Sequence, residues 1–223
     1  MSKLPYNFWC YHLTETGCTW RPVDYDARIV VKALKQEPFN GYLEAKIAGV
    51  RRRFDSDSAE KLIQLIMPLI GERLRKEIDG PISIVPVPNS GMAVGHEGPF
   101  RTVELAQLVA GGYGAEANVR RAVWWDEPRN KAHQSNDYRH PDLYEPHMVM
   151  GEAPTAPVVL FDDVLTSGSQ MTAAARMLAK QGFPPARGLV VARATKLQHD
   201  DKFLSRREDQ LELVSDPFDF DEI

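Results

Sequence analysis

Two adjacent acids stand at the end of an apolar run and in front of a loop of small polar residues. The run is VVLF, residues 158–161, and the acids are Asp162 and Asp163. Paired carboxylates bind hydroxyl donors or a divalent cation. The loop behind them supplies hydroxyls and backbone N–H groups at the start of the next helical segment, and such a site attracts an anion. Its residues are Thr166, Ser167, Gly168 and Ser169.

One ligand can satisfy both halves of this segment only if its phosphate lies at one end, because carboxylates repel phosphate. The other end then offers hydroxyl groups or a bound metal ion to the acids. A ribose 5-phosphate has that shape. The competing interpretation is a pair of strand-end aspartates that caps the next helix, which accounts for the acids but not for the loop.

Three other motifs with phosphate loops or acids fit the sequence less well. A Walker loop needs the dipeptide Gly-Lys, which occurs nowhere in the chain. A haloacid-dehalogenase nucleophile needs a second aspartate two residues after the first, where this chain has Val164. Gly91, Gly95 and Gly98 do not have the spacing of a dinucleotide fingerprint.

The elements around the acids alternate between apolar strands and helices, which predicts a doubly wound, mainly parallel α/β sheet. In such a sheet ligands lie beyond the carboxyl ends of the strands, where the acids fall. Strands are expected at residues 82–87, 117–125, 156–161 and 186–194, and helices at 101–112 and 168–182. Upstream, residues 25–36 and 56–80 are helical patterns, the second closing on Gly80, and Pro68 should kink or split it.

The bulk composition bounds the class of protein. The 223 residues carry a net charge of −4, and the run Arg51 to Arg53 is the only tight basic run, so a nucleic-acid partner is not expected. Two cysteines form no disulfide framework, and the first residues lack the apolar core of a signal peptide. The most apolar stretch, residues 62–70, is too short to span a bilayer. We therefore expect a cytoplasmic protein without a membrane partner.

The segment VVLFDDVLTSGS, residues 158–169, closely resembles the 5-phosphoribosyl 1-pyrophosphate (PRPP) motif of type I phosphoribosyltransferases. That motif has four apolar residues, two acids, two apolar residues, threonine, any residue and glycine. ISIVPVPNSG and PFRTVELAQLVA are similar to the pyrophosphate strand, loop and helix of the ComF-like (competence protein F) branch, and RIVVKALKQEP is similar to its lysine-bearing helix. The resemblance covers residues 26–195, strongly at one motif and loosely elsewhere.

This resemblance implies a Mg²⁺-dependent enzyme that displaces pyrophosphate from C1 of PRPP with the nitrogen of a nucleobase or related amine. Asp162 and Asp163 would bind the ribose hydroxyls, partly through Mg²⁺ and its waters. The residues implied for the 5-phosphate are Leu165, Thr166, Ser167, Gly168 and Ser169, and those implied for the pyrophosphate are Pro88, Asn89, Ser90, Gly91 and Arg101.

A departing pyrophosphate also needs cations and a lid that excludes water. Residues 127–146 are the candidate lid, although its charges are equally consistent with an ordinary loop. Its basic residues are Arg129, Lys131, His133 and Arg139. Lys35 is a further candidate for the pyrophosphate, and Arg193 either faces the acceptor or pairs with the acidic tail.

The resemblance implies a domain organisation as well. Residues 1–60 would form an N-terminal hood over the acceptor, residues 61–200 the phosphoribosyltransferase-like core, and residues 201–223 an acidic C-terminal tail. Homodimers are common among such proteins, so a homodimer is a candidate assembly.

Two departures from the ComF-like pattern keep other functions open. The usual four-cysteine zinc ribbon is absent, since Cys10, His12 and Cys18 lack C-x-x-C spacing, and the cysteines are interpreted as core residues. The pyrophosphate loop is poor in basic residues. This favours, as the alternative, a non-catalytic sensor of PRPP or a nucleotide, because weak leaving-group stabilisation impairs catalysis more than binding. An accessory in DNA uptake or processing is the third hypothesis, supported by the run Arg51 to Arg53 alone.

Overall fold

The computed structural model describes residues 3–47, 49–129, 140–199 and 204–213. The strands in these ranges are, in chain order, β1 (Lys3–Phe8), β2 (Cys10–Leu13), β3 (Leu43–Ile47), β4 (Val50–Phe54), β5 (Ile82–Pro86), β6 (Ala117–Val119), β7 (Val123–Trp125), β8 (Met148–Met150), β9 (Val158–Leu165), β10 (Pro185–Thr195) and β11 (Arg207–Glu212). The α-helices are α1 (Pro22–Leu34), α2 (Ala59–Arg75), α3 (Arg101–Tyr113), α4 (Pro141–Tyr144) and α5 (Ser169–Lys180).

Seven strands form the central sheet in the order β11-β1-β10-β9-β5-β6, and β2 pairs with β10 beside β1. Each pair in this sheet is parallel except β1 with β11, which is antiparallel. The strands β5, β9 and β10 are buried apolar runs, as expected for a parallel sheet covered on both faces. The expected doubly wound α/β fold is confirmed.

Helices cover the two faces of the sheet unequally. On one face α1, α2 and α3 bury a cluster that includes Leu34, Leu62 and Leu105. On the other face α5, β7 and β8 bury a second cluster, which includes Met171 and Leu178. The acid pair therefore lies in a strand that has packed helices on both faces of its sheet. Within the described ranges no helix is long and apolar enough to cross a membrane.

Helix α2 is continuous through Pro68, so the expected split at this residue does not occur. The helix ends at Arg75, before Gly80. A Cβ added to Gly112 of α3 would lie 1.9 Å from the carbonyl oxygen of Pro68, and one added to Gly71 would lie 2.0 Å from that of Val109. The two helices thus cross in backbone contact, and this packing stabilises a helix that proline alone would weaken.

The N-terminal residues join the central sheet, which the sequence did not indicate. β1 pairs with β10 at Gly188 and Leu189, and β2 pairs with the same strand at 192–195 after a break at Trp9. The hairpin β3–β4 forms a separate two-stranded sheet. The boundary drawn at residue 60 falls within α2, and the division into hood, core and tail stays a prediction. β11 lies within residues 201–223, of which 214–223 lie outside the described ranges.

The expected single strand at residues 117–125 is wrong. Its first part, β6, lies at the edge of the central sheet beside β5, whereas β7 pairs with β8 in a separate antiparallel sheet. The intervening Arg120 and Arg121 leave the ladder, and Arg120 donates through its backbone N–H to the carbonyl of Ile84 at 2.9 Å. Trp125 packs in the second cluster, and its indole N–H donates to the Asn89 carbonyl in the loop after β5 at 3.0 Å.

Candidate functional site

The acid pair lies inside the carboxyl-terminal part of β9. The strand continues through both acids to Leu165, four residues beyond the expected end at Phe161. The backbone N–H of Asp163 donates to Asp162 Oδ1 at 2.9 Å, and that of Val164 donates to Asp163 Oδ1 at 2.7 Å. These bonds fix both carboxylates at the edge of the sheet where ligands of open α/β folds bind.

The pKa of Asp162 is raised well above its usual range. Burial is the main cause, and the negative charge and hydrogen bonding of the neighbouring Asp163 side chain add to it, whereas Lys35 acts in the opposite direction. Two carboxylates in this position resist carrying two full charges without a partner. A cation or a set of hydroxyl donors would relieve this conflict.

The loop after β9 and the side chain of Asp162 line one pocket. The cavity has a volume of about 60 Å³, several times the 10–15 Å³ or so that one water needs, so it has room for a small anion. It is lined by Tyr144, Asp162, Val164, Leu165, Thr166, Ser167, Gly168, Ser169, Gln170 and Met171. The structure therefore brings together one acid and every residue predicted for the 5-phosphate.

The N-terminus of α5 lies at this pocket. Gly168 is its N-cap residue, with φ of +80°, and the backbone N–H of Ser169 donates to Ser167 Oγ at 3.4 Å. The hydroxyls of Ser167 and Ser169 are 3.0 Å apart and share a hydrogen bond. Arg193 donates to the carbonyl of Thr166 at 3.1 Å and so fixes the loop from β10. Backbone N–H groups at such a helix start are anion donors.

Gly168 is needed for a close contact as well as for its backbone angle. A Cβ at this position would lie 2.6 Å from Leu211 Cδ2, which belongs to β11. A strand near the C-terminal end of the described residues thus packs against this glycine. The strand β11 therefore supports the loop from behind.

Tyr144 is a pocket residue that sequence reasoning missed. It ends α4, a single turn between β7 and β8, and its ring packs against Trp125 with centroids 5.9 Å apart. A lone tyrosine inside a polar segment carries no local signal, because only the β7–β8 pairing brings it to the pocket. Gln170 and Met171 were missed because they lie in the first turn of α5.

The predicted pyrophosphate loop follows β5, on the strand next to β9. Asn89 Oδ1 accepts a hydrogen bond from the backbone N–H of Gly91 at 3.1 Å, and the Asn89 carbonyl accepts one from Trp125 Nε1 at 3.0 Å. The Ser90 carbonyl accepts one from the backbone N–H of Arg129 at 2.9 Å. The loop is thus fastened to β7 and to the segment after it.

Arg101 lies at the start of α3 and is engaged by other protein groups. Its guanidinium donates to the carbonyl of Leu34 at 2.9 Å and forms ion pairs with Glu60 at 2.9 Å and Glu104 at 3.2 Å. With only 16% of its side chain exposed, it ties α1, α2 and α3 together. Nothing in these contacts directs it to a pyrophosphate, so that assignment stays a prediction.

The other predicted basic residues lie in different surroundings. Arg129 stands over the ring of Trp125, with Cζ 5.5 Å from the centroid. Lys131, His133 and Arg139 lie outside the described residues. Lys35 lies near the acid pair, since its charge lowers the pKa of Asp162.

The side chains near the N-terminus that could ligate a soft metal ion, Cys10, His12 and Cys18, have different surroundings. Cys10 is buried, and its Sγ donates to the Val191 carbonyl at 3.8 Å, while Cys18 Sγ donates to the Glu15 carbonyl at 3.9 Å. His12 has a buried Nδ1 without a partner in the described part of the chain. Burial, followed by the charges of Lys35 and Arg28, lowers the pKa of His12 to about 4, so this imidazole is neutral at pH 7.

Comparison with known proteins gives a similarity in structure alone. No family model matches the chain, and no curated protein sequence matches it. Solved structures that are similar include an orotate phosphoribosyltransferase from Aeropyrum pernix, with 16% identity, coverage of 75% of this chain and 83% of that one, and a TM-score of 0.38. An adenine phosphoribosyltransferase from Leishmania tarentolae has 14% identity, coverage of 78% and 88%, and a TM-score of 0.39.

A hypoxanthine phosphoribosyltransferase from Staphylococcus aureus is also similar, with 12% identity, coverage of 63% and 71%, and a TM-score of 0.35. The fold class is established by the strand order of this chain itself. Membership of the ComF-like branch stays a prediction.

Proposed function

We propose that this protein binds PRPP together with Mg²⁺ and transfers 5-phosphoribose to a nucleobase or related amine, with release of pyrophosphate. The observation that carries the proposal is the single pocket in which Asp162 and the loop of residues 166–169 meet. An acid and an anion-binding helix start that line one small cavity match the hydroxyl end and the phosphate end of a ribose 5-phosphate. The motif VVLFDDVLTSGS supports the same ligand.

In phosphoribosyl transfer the protein must position the reacting groups and stabilise charge, since an oxocarbenium-like sugar forms as pyrophosphate departs. In this proposal the loop of residues 166–169 and the start of α5 hold the 5-phosphate, and Arg193 keeps that loop in place. Asp162 and Asp163 accept hydrogen bonds from the ribose hydroxyls. With both ends of the sugar fixed, C1 is presented towards the loop after β5, where the pyrophosphate would lie.

The acid pair also fits a Mg²⁺ ion. Among the described residues no group of three or more acids, histidines or cysteines could enclose a metal. Mg²⁺ does not need such an enclosure, because it keeps several waters and binds one or two carboxylates together with substrate oxygens. Burial and the neighbouring Asp163 raise the pKa of Asp162, and a bound cation would oppose both effects. When bound, the ion would supply charge for the pyrophosphate oxygens.

Ligand-induced stabilisation tests the site directly. PRPP with Mg²⁺ at a hundred times its Kd should add about 2.7 kcal/mol to the free energy of unfolding, and thus raise Tm by roughly 5–10 °C. The double variant Asp162→Asn/Asp163→Asn should lose this shift and keep the fold. Glu72→Gln/Asp79→Asn changes the charge equally at two exposed acids outside the pocket and should keep the shift. An unchanged shift in the Asp162/Asp163 variant would overturn the assignment.

Turnover is a separate measurement. Incubation with PRPP, Mg²⁺ and a panel of purine and pyrimidine bases should release pyrophosphate with at least one of them. Protein that binds PRPP and turns over none of the bases contradicts the transfer reaction and leaves the binding site standing.

A non-catalytic sensor of PRPP or a nucleotide is the second candidate. It is favoured by the engagement of Arg101 with Glu60 and Glu104, which neutralises the nearest basic residue after the pyrophosphate loop. A sensor needs affinity without leaving-group stabilisation. Calorimetric binding of PRPP without pyrophosphate release would support this candidate.

A further inference from the structure

A second pocket lies on the exposed face of α1, where the chain continues into β3. Its volume is about 440 Å³, within the usual range for small-molecule sites. The helix contributes residues spaced by three and four positions, Tyr25, Arg28, Ile29 and Lys32, and the chain before β3 forms the opposite wall. This pocket has no lining residue in common with the pocket at the acid pair.

Aromatic rings form two sides of this pocket and are exposed beyond what packing requires. Tyr25 is 53% exposed and Tyr42 is 47% exposed, and both line the cavity. Trp20 extends the surface past Tyr25, with the two ring centroids 5.4 Å apart. Exposed rings that line a cavity offer faces on which a planar group can stack.

Basic side chains are interleaved with these rings. Arg28 lies over Trp20, with Cζ 5.3 Å from the ring centroid, and Arg53 lies over Tyr42 at 3.6 Å. The amine of Lys32 donates to the Pro38 carbonyl at 2.9 Å. In the described ranges none of these three cations is within 4 Å of a carboxylate, and no acid lines the pocket. A chain with a net charge of −4 thus carries a local positive surface here.

We propose that this pocket binds a nucleotide, whose base stacks between Tyr25 and Tyr42 and whose phosphate is bound by Arg28 and Lys32. The pocket is large enough for one nucleotide, and stacking on rings beside cations is how proteins bind bases without reading their sequence. The nucleotide is either a free molecule or one unit of a single-stranded nucleic acid, because both present the same base and phosphate. The inference does not depend on the proposed function.

The test uses the full chain carrying Asp162→Asn/Asp163→Asn, so that nucleotides cannot bind at the acid pair. Isothermal titration calorimetry at low ionic strength is performed with AMP, with UMP and with a short single-stranded thymidylate oligomer. We expect one site per chain for the mononucleotides. Tyr25→Ala/Tyr42→Ala should weaken binding at least tenfold, and Tyr25→Phe/Tyr42→Phe, which keeps the rings, should retain it. Both tyrosines are exposed, so these variants should fold normally.

The cations have a matched control. Arg28→Gln/Lys32→Gln should weaken binding and reduce its dependence on salt. Arg121 lies over Trp124 at 5.5 Å, well outside the pocket, so Arg121→Gln removes an equivalent ring-stacked cation and should leave binding unchanged. An oligomer that binds at least tenfold more tightly than AMP, with a steep salt dependence, identifies a nucleic-acid strand as the occupant. Equal affinities identify a free nucleotide.

Two results would overturn the inference. One is the absence of binding by every probe at millimolar concentration and low salt. The other is binding that persists unchanged in the Tyr25→Ala/Tyr42→Ala variant. Either result leaves the proposed function untouched, because that function is tested with PRPP in the protein that retains both aspartates.

Discussion

The loops that follow the neighbouring strands β9 and β5 differ in what their polar groups contact. After β9, the loop of residues 166–169 leads into the start of α5, at the N-cap residue Gly168, and lines a pocket. After β5, the loop of residues 88–91 is bonded to itself and to Trp125, and Arg101 behind it is held by two glutamates. The loop after β9 thus lines a small pocket, whereas the loop after β5 is fastened to Trp125 and to the backbone of Arg129, whose guanidinium stands over the Trp125 ring.

The largest effect should come from Gly168. Gly168→Ala places an L residue at φ of +80° and a Cβ 2.6 Å from Leu211. The backbone angle costs about 1–2 kcal/mol in the free energy of unfolding, and the overlap adds a smaller cost because it meets the movable end of the Leu211 side chain. Denaturant unfolding measures the total, and PRPP binding should weaken together with stability.

Leu211→Ala separates the cost of the backbone angle at residue 168 from the cost of the overlap with Leu211. In the background of Gly168→Ala it removes the overlap, so the double variant should be less destabilised than the sum of the single changes. Strict additivity would show that Leu211 does not press on the loop.

Arg101→Ala distinguishes a structural role from a role at the leaving group. Loss of the ion pairs with Glu60 and Glu104 and of the bond to the Leu34 carbonyl should lower the free energy of unfolding by about 1–2 kcal/mol. We expect the affinities for PRPP and for ribose 5-phosphate to change equally little. A selective loss of PRPP affinity would instead show that the arginine reaches the pyrophosphate. The loop after β5 would then have a cation available for the leaving group, which its contacts do not indicate.

The raised pKa of Asp162 predicts a stability penalty that depends on pH. Because the folded-state pKa exceeds the unfolded value, the protein is relatively stabilised below about pH 4 and loses that stability as pH rises through the folded pKa. Asp162→Asn should therefore raise Tm of the ligand-free protein at pH 7, by about 2–4 °C for each kcal/mol relieved. The advantage should vanish towards pH 4 in a series of thermal melts. An Asp162→Asn variant that is less stable than the parent protein at pH 7 would contradict this prediction.

The smallest effects compare one hydroxyl from each loop. Ser167→Ala should weaken ribose 5-phosphate and PRPP alike, by about 2- to 12-fold, the usual value of one hydrogen bond. Ser90→Ala, the matched change in the loop after β5, should leave ribose 5-phosphate affinity unchanged. Competition binding measures both ligands. Equal losses of ribose 5-phosphate affinity in the two variants would contradict the inferred difference between the two loops.

Much of the fold follows from local sequence patterns. β9, α5 and β10 were predicted because a short buried run, a glycine and an amphipathic helix succeed one another in the sequence. The acid pair and its loop could be singled out for the same reason, since nine of the ten residues that line the pocket lie between Asp162 and Met171 in the sequence.

The remaining features depend on pairing between distant segments. The aromatic run before Trp9 was interpreted as part of a hood, because nothing in it indicates that β10, some 180 residues later, supplies its partner. Tyr144 reaches the pocket only through the β7–β8 pairing. The ion pair of Arg101 with Glu60 could not be predicted either, since Glu60 lies 41 residues away and no local pattern at α3 indicates it.

The pairing of β1 with β10 and β11 also has a consequence for the synthesis of the chain. Tyr6 bonds to Asp209, 203 residues further along, so β1 leaves the ribosome long before its partners exist. At a translation rate of about 5–20 residues per second, this strand waits roughly 10–40 s with both edges unpaired. Such distant contacts slow folding, and exposed strand edges invite aggregation. Leu211 must be translated before it can pack against Gly168, so the loop at Gly168 gains this support only after β11 has left the ribosome.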